Sequence, residues 1–168
     1  VTTQPDKAAR VIGPYVMPDG FRIVSGGQTG ADRAALDWAI ANDVAHGGWC
    51  PRGRKAEDDV IAEMYRLVET SSASYLQRTE YNVRDSDATV IFTLSSTLSA
   101  GSKRTIEFAQ QYGRPYLHLL AQNSLAAFSH FLRRHRVTVL NVAGSRESTA
   151  PGIAKLVYER LRESIAVQ

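Results

Sequence analysis

Apolar residues in this chain fall alternately into short unbroken runs and into stripes with helical spacing. Phe21-Arg22-Ile23-Val24-Ser25 is mostly apolar and stops at two glycines, as a short strand does. Ala31, Ala34, Ala35, Trp38 and Ala39 then recur every three or four residues, which predicts a helix from Ala31 to Asn42. Val44–Trp49 reads as a second strand weakened by Gly47 and Gly48, and 51–59 as a polar loop. Tyr75, Leu76, Thr79 and Val83 predict a helix over Ser72–Arg84 with Leu76, Thr79 and Val83 turned inward. Ala88–Phe92 is the clearest strand, followed by a Ser/Thr-rich loop and a helix over Thr105–Tyr112, with Gly113 as its cap. Tyr116–Leu120 predicts a strand, Ser124–His135 a helix and Val137–Val142 a last strand. The final helix opens near Pro151 and carries Ile153, Leu156, Val157, Leu161 and Ile165 on one side.

Strands that alternate with helices imply an α/β, Rossmann-like domain of three layers, a mostly parallel sheet with helices on both faces. Residues 21–168 are expected to form one such ligand-binding domain. Residues 1–20, with three prolines and no period, are expected to form an extended arm.

The first candidate for chemistry is the turn Gly26-Gly27-Gln28-Thr29-Gly30. It lies between a strand end and a helix start, where ligands gather in open parallel sheets. Glycines let a ligand approach the backbone closely, and the N–H groups of a helix start favour negative charge. Gln28 and Thr29 add side-chain donors. The turn is neither a Walker motif nor a full dinucleotide fingerprint, and a tight turn without a ligand is the competing reading. Asp32 either complements the helix dipole or binds a ligand group; Arg33 and Asp37, four apart, read as a surface pair.

Arg52 and Arg54 flank Gly53 and are suited to clamp a second phosphate, with Glu57 and Asp58 expected to salt-bridge them. Gly101, Ser102 and Thr105 mark a second anion-friendly helix start, although capping alone would explain Ser102. Arg78 and Glu80 fall on the polar side of their helix. Gly144-Ser145-Arg146-Glu147 either reaches the ligand from the far side or caps the last helix. The histidines His46, His118, His130 and His135 show no ligand spacing, and a lone Cys50 forms no internal disulfide.

Composition narrows the class without naming the ligand. A hydrophobic fraction of 43% with 22% charged residues fits a globular protein rather than a disordered one. No apolar run approaches the ~20 residues of a membrane span, and no secretory signal is legible, so cytoplasm is the expected compartment. The net charge of +3 is modest, and nucleic acid is not an expected partner. Only Lys7, Lys55, Lys103 and Lys155 are lysines, so most of the 20 cations are arginines. That bias reflects either codon usage or bidentate grips on phosphate.

Several strings together resemble the molybdenum cofactor carrier family. They are Ile23-Val24-Ser25-Gly26-Gly27-Gln28-Thr29-Gly30-Ala31-Asp32, then Gly47-Gly48-Trp49-Cys50-Pro51-Arg52-Gly53-Arg54 with Ala56-Glu57-Asp58. Arg78-Thr79-Glu80-Tyr81-Asn82-Val83, Ser86-Asp87-Ala88-Thr89, and Gly101-Ser102 with Thr105 complete the set. The resemblance implies a Rossmann-like fold, a homo-oligomer, and binding of molybdopterin or its molybdenum form, with a nucleotide as the alternative. It also moves Arg78 into the site. Two departures stand out: Asp59 where glycine is expected after Ala-Glu-Asp, and Ala100 where a double glycine is usual. A more distant similarity, to the cytokinin-activating phosphoribohydrolases, rests on Arg78 standing nine residues before Asp87. There the catalytic glutamate position falls on Phe108, with Glu107 one residue short, about 100° away around the helix.

Overall fold

The computed structural model describes residues 13–167. Five parallel strands form the central sheet: β1 (Arg22–Val24), β2 (Ala45–Gly47), β3 (Ala88–Thr93), β4 (Tyr116–Leu120) and β5 (Val139–Gly144). Five helices accompany them: α1 (Ala31–Ala41), α2 (Tyr75–Arg84), α3 (Ala100–Gln111), α4 (Leu125–Arg134) and α5 (Ile153–Ser164). The strand order is β2-β1-β5-β3-β4. α1 and α4 pack with α5, and α2 packs with α3, giving the expected Rossmann-like three-layer α/β fold.

The strand order carries a second message. Numbered from β5 onward and continued through β1 and β2 to β3 and β4, the same sheet reads 3-2-1-4-5, the order of a doubly wound nucleotide-binding sheet. The switch point of that sheet lies between β5 and β3. All six residues of β3 are buried, as a strand covered on both faces requires. Polar groups inside the sheet are paired: Asn141 Nδ2 donates to Thr89 Oγ1 at 3.1 Å, and Ser25 Oγ to the Val142 carbonyl at 2.6 Å.

Several element bounds differ from those expected, each for a local reason. The second strand is cut at Gly48, whose φ of +121° sends Trp49–Cys50 away to pair with Val68–Glu69. The α3 helix begins at Ala100, five residues before the expected Thr105, because Ser99 caps it by accepting the Ser102 N–H. Of the arm expected over residues 1–20, residues 1–12 lie outside the described residues. Tyr15–Val16 pairs with Ile165–Ala166, and the buried Tyr15 and Phe21 rings meet edge to face. The polar loop 51–59 contains all but Val60 of a small antiparallel pair, Lys55–Ala56 with Asp59–Val60.

Asp59, where a glycine was expected, adopts a φ of +114°. A side chain is strained there, by roughly 1–3 kcal/mol. Asp59→Gly is therefore expected to raise stability by about 1 kcal/mol, after the added chain entropy of glycine is offset. Gly30 should behave oppositely. Its φ is +83°, and a Cβ would lie 2.6 Å from the Glu147 amide nitrogen and 2.8 Å from the Arg146 carbonyl carbon. Gly30→Ala should cost about 2–5 kcal/mol in denaturant unfolding. Gly53→Ala, with a φ of +79° but no atom within 4 Å, should cost only about 1 kcal/mol.

Candidate functional site

At the switch point, the loops after β3 and β5 and the α2 helix enclose a cavity of about 340 Å³, within the size range of small-ligand sites. Four segments build it. Gln28 and Asp32 come from the β1–α1 turn, and Tyr75, Leu76, Arg78 and Thr79 from α2. Ser99 through Ser102, with Arg104 and Thr105, form the α3 start, and Gly144, Ser145, Arg146 and Thr149 follow β5.

The glycines of the first turn face the protein itself, contrary to expectation. Gly26 lies against Arg78, whose Cζ would be 2.6 Å from an added Cβ, Gly27 against Leu67 and Ile61, and Gly30 against the 145–147 backbone. The Gln28 and Gly26 N–H groups of the turn already hold a side chain, the Asp32 carboxyl. Its Oδ2 accepts the Gln28 N–H at 3.3 Å, and Arg78 Nη1 stands 3.2 Å away. Burial pushes the Asp32 carboxyl above its ordinary range; Arg78 and the Gln28 and Gly26 N–H groups pull it back only in part. Thr29 is likewise engaged, its hydroxyl donating to Glu57. Of the turn, only Gln28 reaches the cavity.

Arg78 does enter the site, although spacing placed it on an exposed face. The buried Asn82, one turn on, clamps the Trp49 backbone, accepting its N–H at 2.8 Å and donating to its carbonyl at 2.9 Å. That contact turns Arg78 toward Asp32. Glu80 does not join it, because its carboxylate accepts the Tyr112 hydroxyl at 2.6 Å. Nor does Glu107, which pairs with Arg104 on the exposed side of α3.

Arg52 and Arg54 form no clamp at the cavity. Arg54 is buried, and its guanidinium donates to the carbonyls of Ile61, Ala62 and Tyr65 at 2.8 Å and of Leu67 at 3.2 Å, knitting 61–67 together. Arg52 is exposed and outside the cavity lining. The expected pairing of Glu57 and Asp58 with these arginines is replaced by others. Glu57 accepts from Ser148 at 2.7 Å and faces Arg146 at 3.7 Å, while Asp58 accepts from both Arg33 Nη atoms. Asp37 accepts the Tyr65 hydroxyl at 2.6 Å instead of pairing with Arg33.

The α3 start fulfils more of its promise. Gly101 has nothing closer to an added Cβ than Ser99 Oγ at 3.9 Å, so its face is open to the cavity. Ser102 and Thr105 are buried in the same wall; Thr105 donates to the Gly101 carbonyl at 2.9 Å. After β5, the two alternatives divide between neighbours. Glu147 caps α5 by accepting the Gly152 and Ala154 N–H groups at 2.6 and 3.0 Å, while Ser145 and Arg146 line the cavity. Tyr75, Arg104 and Thr149 were not anticipated. Tyr75 stands at the first residue of α2 with the Arg146 guanidinium 5.0 Å and the Lys55 ammonium 5.4 Å from its ring centre.

Residues 23–165 match the circularly permutated YpsA SLOG family. The chain belongs to that family. Permutation is what the strand order shows, since the sheet takes its doubly wound order only when counted from β5. A crystal structure from Syntrophus aciditrophicus SB, named as a molybdenum carrier protein, is 40% identical over 90% of this chain and 96% of that one, with a TM-score of 0.81. No curated protein matches. Among the described residues no helix is long and apolar enough to cross a membrane, and no three His, Cys, Asp or Glu side chains group as a metal site.

Arg54→Ala should cost about 3 kcal/mol or more, because it strands several buried carbonyls, whereas Arg52→Ala should stay within about 0.5 kcal/mol. Thermal unfolding of the two variants checks this division. Hydrogen bonds from Thr29 and Arg33 hold the Glu57 and Asp58 carboxyls below their ordinary values of 4.5 and 3.8. A depressed folded value means that these contacts stabilise fully above the ordinary values and fade as pH falls through the lowered ones. Amide protection factors over residues 54–60 should therefore fall in that acid window, ahead of those of β3 and β5.

Proposed function

We propose that this protein is a carrier or binding module for a phosphate-bearing ligand, molybdopterin or its molybdenum form, held in the switch-point cavity. The observation that carries the reading is a pair of buried donors, Gln28 Nε2 and Arg78 Nε, on residues of the cavity wall, that have no acceptor among the described residues. Buried donors left unpaired cost roughly 1–3 kcal/mol each, a cost that a ligand supplying oxygen acceptors removes. The phosphate sits at the α3 start, whose first-turn N–H groups lack helical partners, with Arg104 and Arg146 as flanking cations. The side chains grip the organic part of the cofactor, and the name of the Syntrophus aciditrophicus relative points the same way. As the resemblance implies, the carrier acts as a homo-oligomer.

A second reading, nucleotide hydrolysis, has one observation in its favour. Asp32, a buried carboxylate in the cavity lining, stands beside Arg78. Release of free base from nucleoside monophosphates, abolished by Arg78→Ala, would favour it over carriage.

A ligand present at 100 times its Kd should stabilise the fold by about 2.7 kcal/mol, or about 5–10 °C for a chain of this size. Thermal unfolding with molybdopterin and with nucleoside monophosphates tests this, and no shift with any of them would reject the reading. Arg146→Ala and Arg104→Ala should each weaken binding by about 1.5–3 kcal/mol, the worth of a hydrogen bond to a charged group. Native mass spectrometry of gently purified protein reads ligand mass and subunit number together.

A further inference from the structure

The two unpartnered donors constrain which part of a ligand can lie beside them. Gln28 is 4% exposed, and its Oε1 accepts the Thr29 and Glu57 N–H groups, both at 3.0 Å. Those two bonds fix the amide's orientation and leave Nε2 as a donor with no acceptor. Arg78 Nε is a second donor of the same kind. Both residues touch Asp32, whose Oδ2 lies 3.3 Å from the Gln28 nitrogen and 3.2 Å from Arg78 Nη1. Bonds to a charged carboxylate normally close to about 2.7–2.9 Å, and both of these distances are longer.

A carboxylate beside two donors is a poor seat for a phosphate, which like charge would repel. It is a good seat for a mixed ring edge, in which a carbonyl oxygen sits next to an N–H. The carbonyl takes the Gln28 or Arg78 proton, and the ring N–H donates to Asp32. Tyr75 and Leu76 line the same cavity and supply apolar surface beside these groups.

We infer that Gln28, Arg78 and Asp32 read the lactam edge of the ligand's heterocycle and so select 6-oxopurine nucleotides or 4-oxopteridine phosphates against adenine nucleotides. Adenine presents its donor and acceptor in the reverse order, which sets its ring acceptor against Asp32 and its amine against the donors. The inference rests on the phosphate-site reading above.

Calorimetry of the unmodified protein with guanosine, inosine and adenosine 5′-monophosphates, neopterin monophosphate and ribose 5-phosphate tests it. At least one lactam ligand should bind tenfold or more tightly than adenosine monophosphate. The tighter of the guanosine and neopterin compounds identifies the source. Asp32→Asn, or Gln28→Ala if that variant does not fold, should shrink the preference to under threefold. Equal or tighter binding of adenosine monophosphate, with ribose 5-phosphate also bound, overturns the edge assignment and leaves the phosphate site standing. Silence of the whole panel, ribose 5-phosphate included, overturns both.

Discussion

The Asp32 carboxylate, buried under the glycine turn and facing Arg78, is the contact on which the site's shape depends. It joins the β1–α1 turn and the first turn of α1, which adjoin in sequence, to the middle of α2, with Arg78 lying 46 residues beyond Asp32. Gly26 must lack a side chain because Arg78 fills that space. A charge pair this deep contributes little net stability once desolvation is counted. Its effect is positional. Removing either partner strands the other, so the turn and α2 hold one relation and the cavity keeps its wall.

Topology explains why the cavity lies where it does. In a doubly wound sheet the crevice opens where the strand order reverses, outside the carboxyl ends. Permutation moves the strand that comes first in that order to β5 in this chain. The loop following β5, which brings Ser145 and Arg146, therefore occupies the place of a first βα turn. The glycine turn follows the second strand of the order and flanks the crevice. Its glycines serve close approach of the chain to itself, while Gly101 leaves space open to the cavity.

Much of the fold was legible in the chain because strand runs and helical stripes report burial directly. β3 and the stripes of α1 and α5 are examples, and the fold class follows from their alternation. The candidate site was legible in parts. Gln28, Asp32, Arg78, Gly101, Ser102 and Thr105 line the cavity, with Arg78 reached only through a family resemblance. Gly-Arg spacing could not tell an arginine that binds its own carbonyls from one that faces solvent, so Arg54 was misplaced. Tyr75 and Arg104 gave no local signal, since each becomes a wall residue only when α2 and α3 pack together. The expected inward face of α2 shows the same limit. Val83 is buried, but Leu76 remains 42% exposed at the cavity rim.

Under the proposed function, an anionic ligand binds at the switch point and not on the N–H groups of the glycine turn. A crystal structure of the protein soaked with a phosphate-bearing ligand, guanosine monophosphate or neopterin monophosphate, tests it most directly. Phosphate oxygens are expected at the Gly101 N–H and Arg146, with Asp32 still in its cradle. Phosphate on the Gly26–Gly30 amides, with Asp32 displaced, would contradict it.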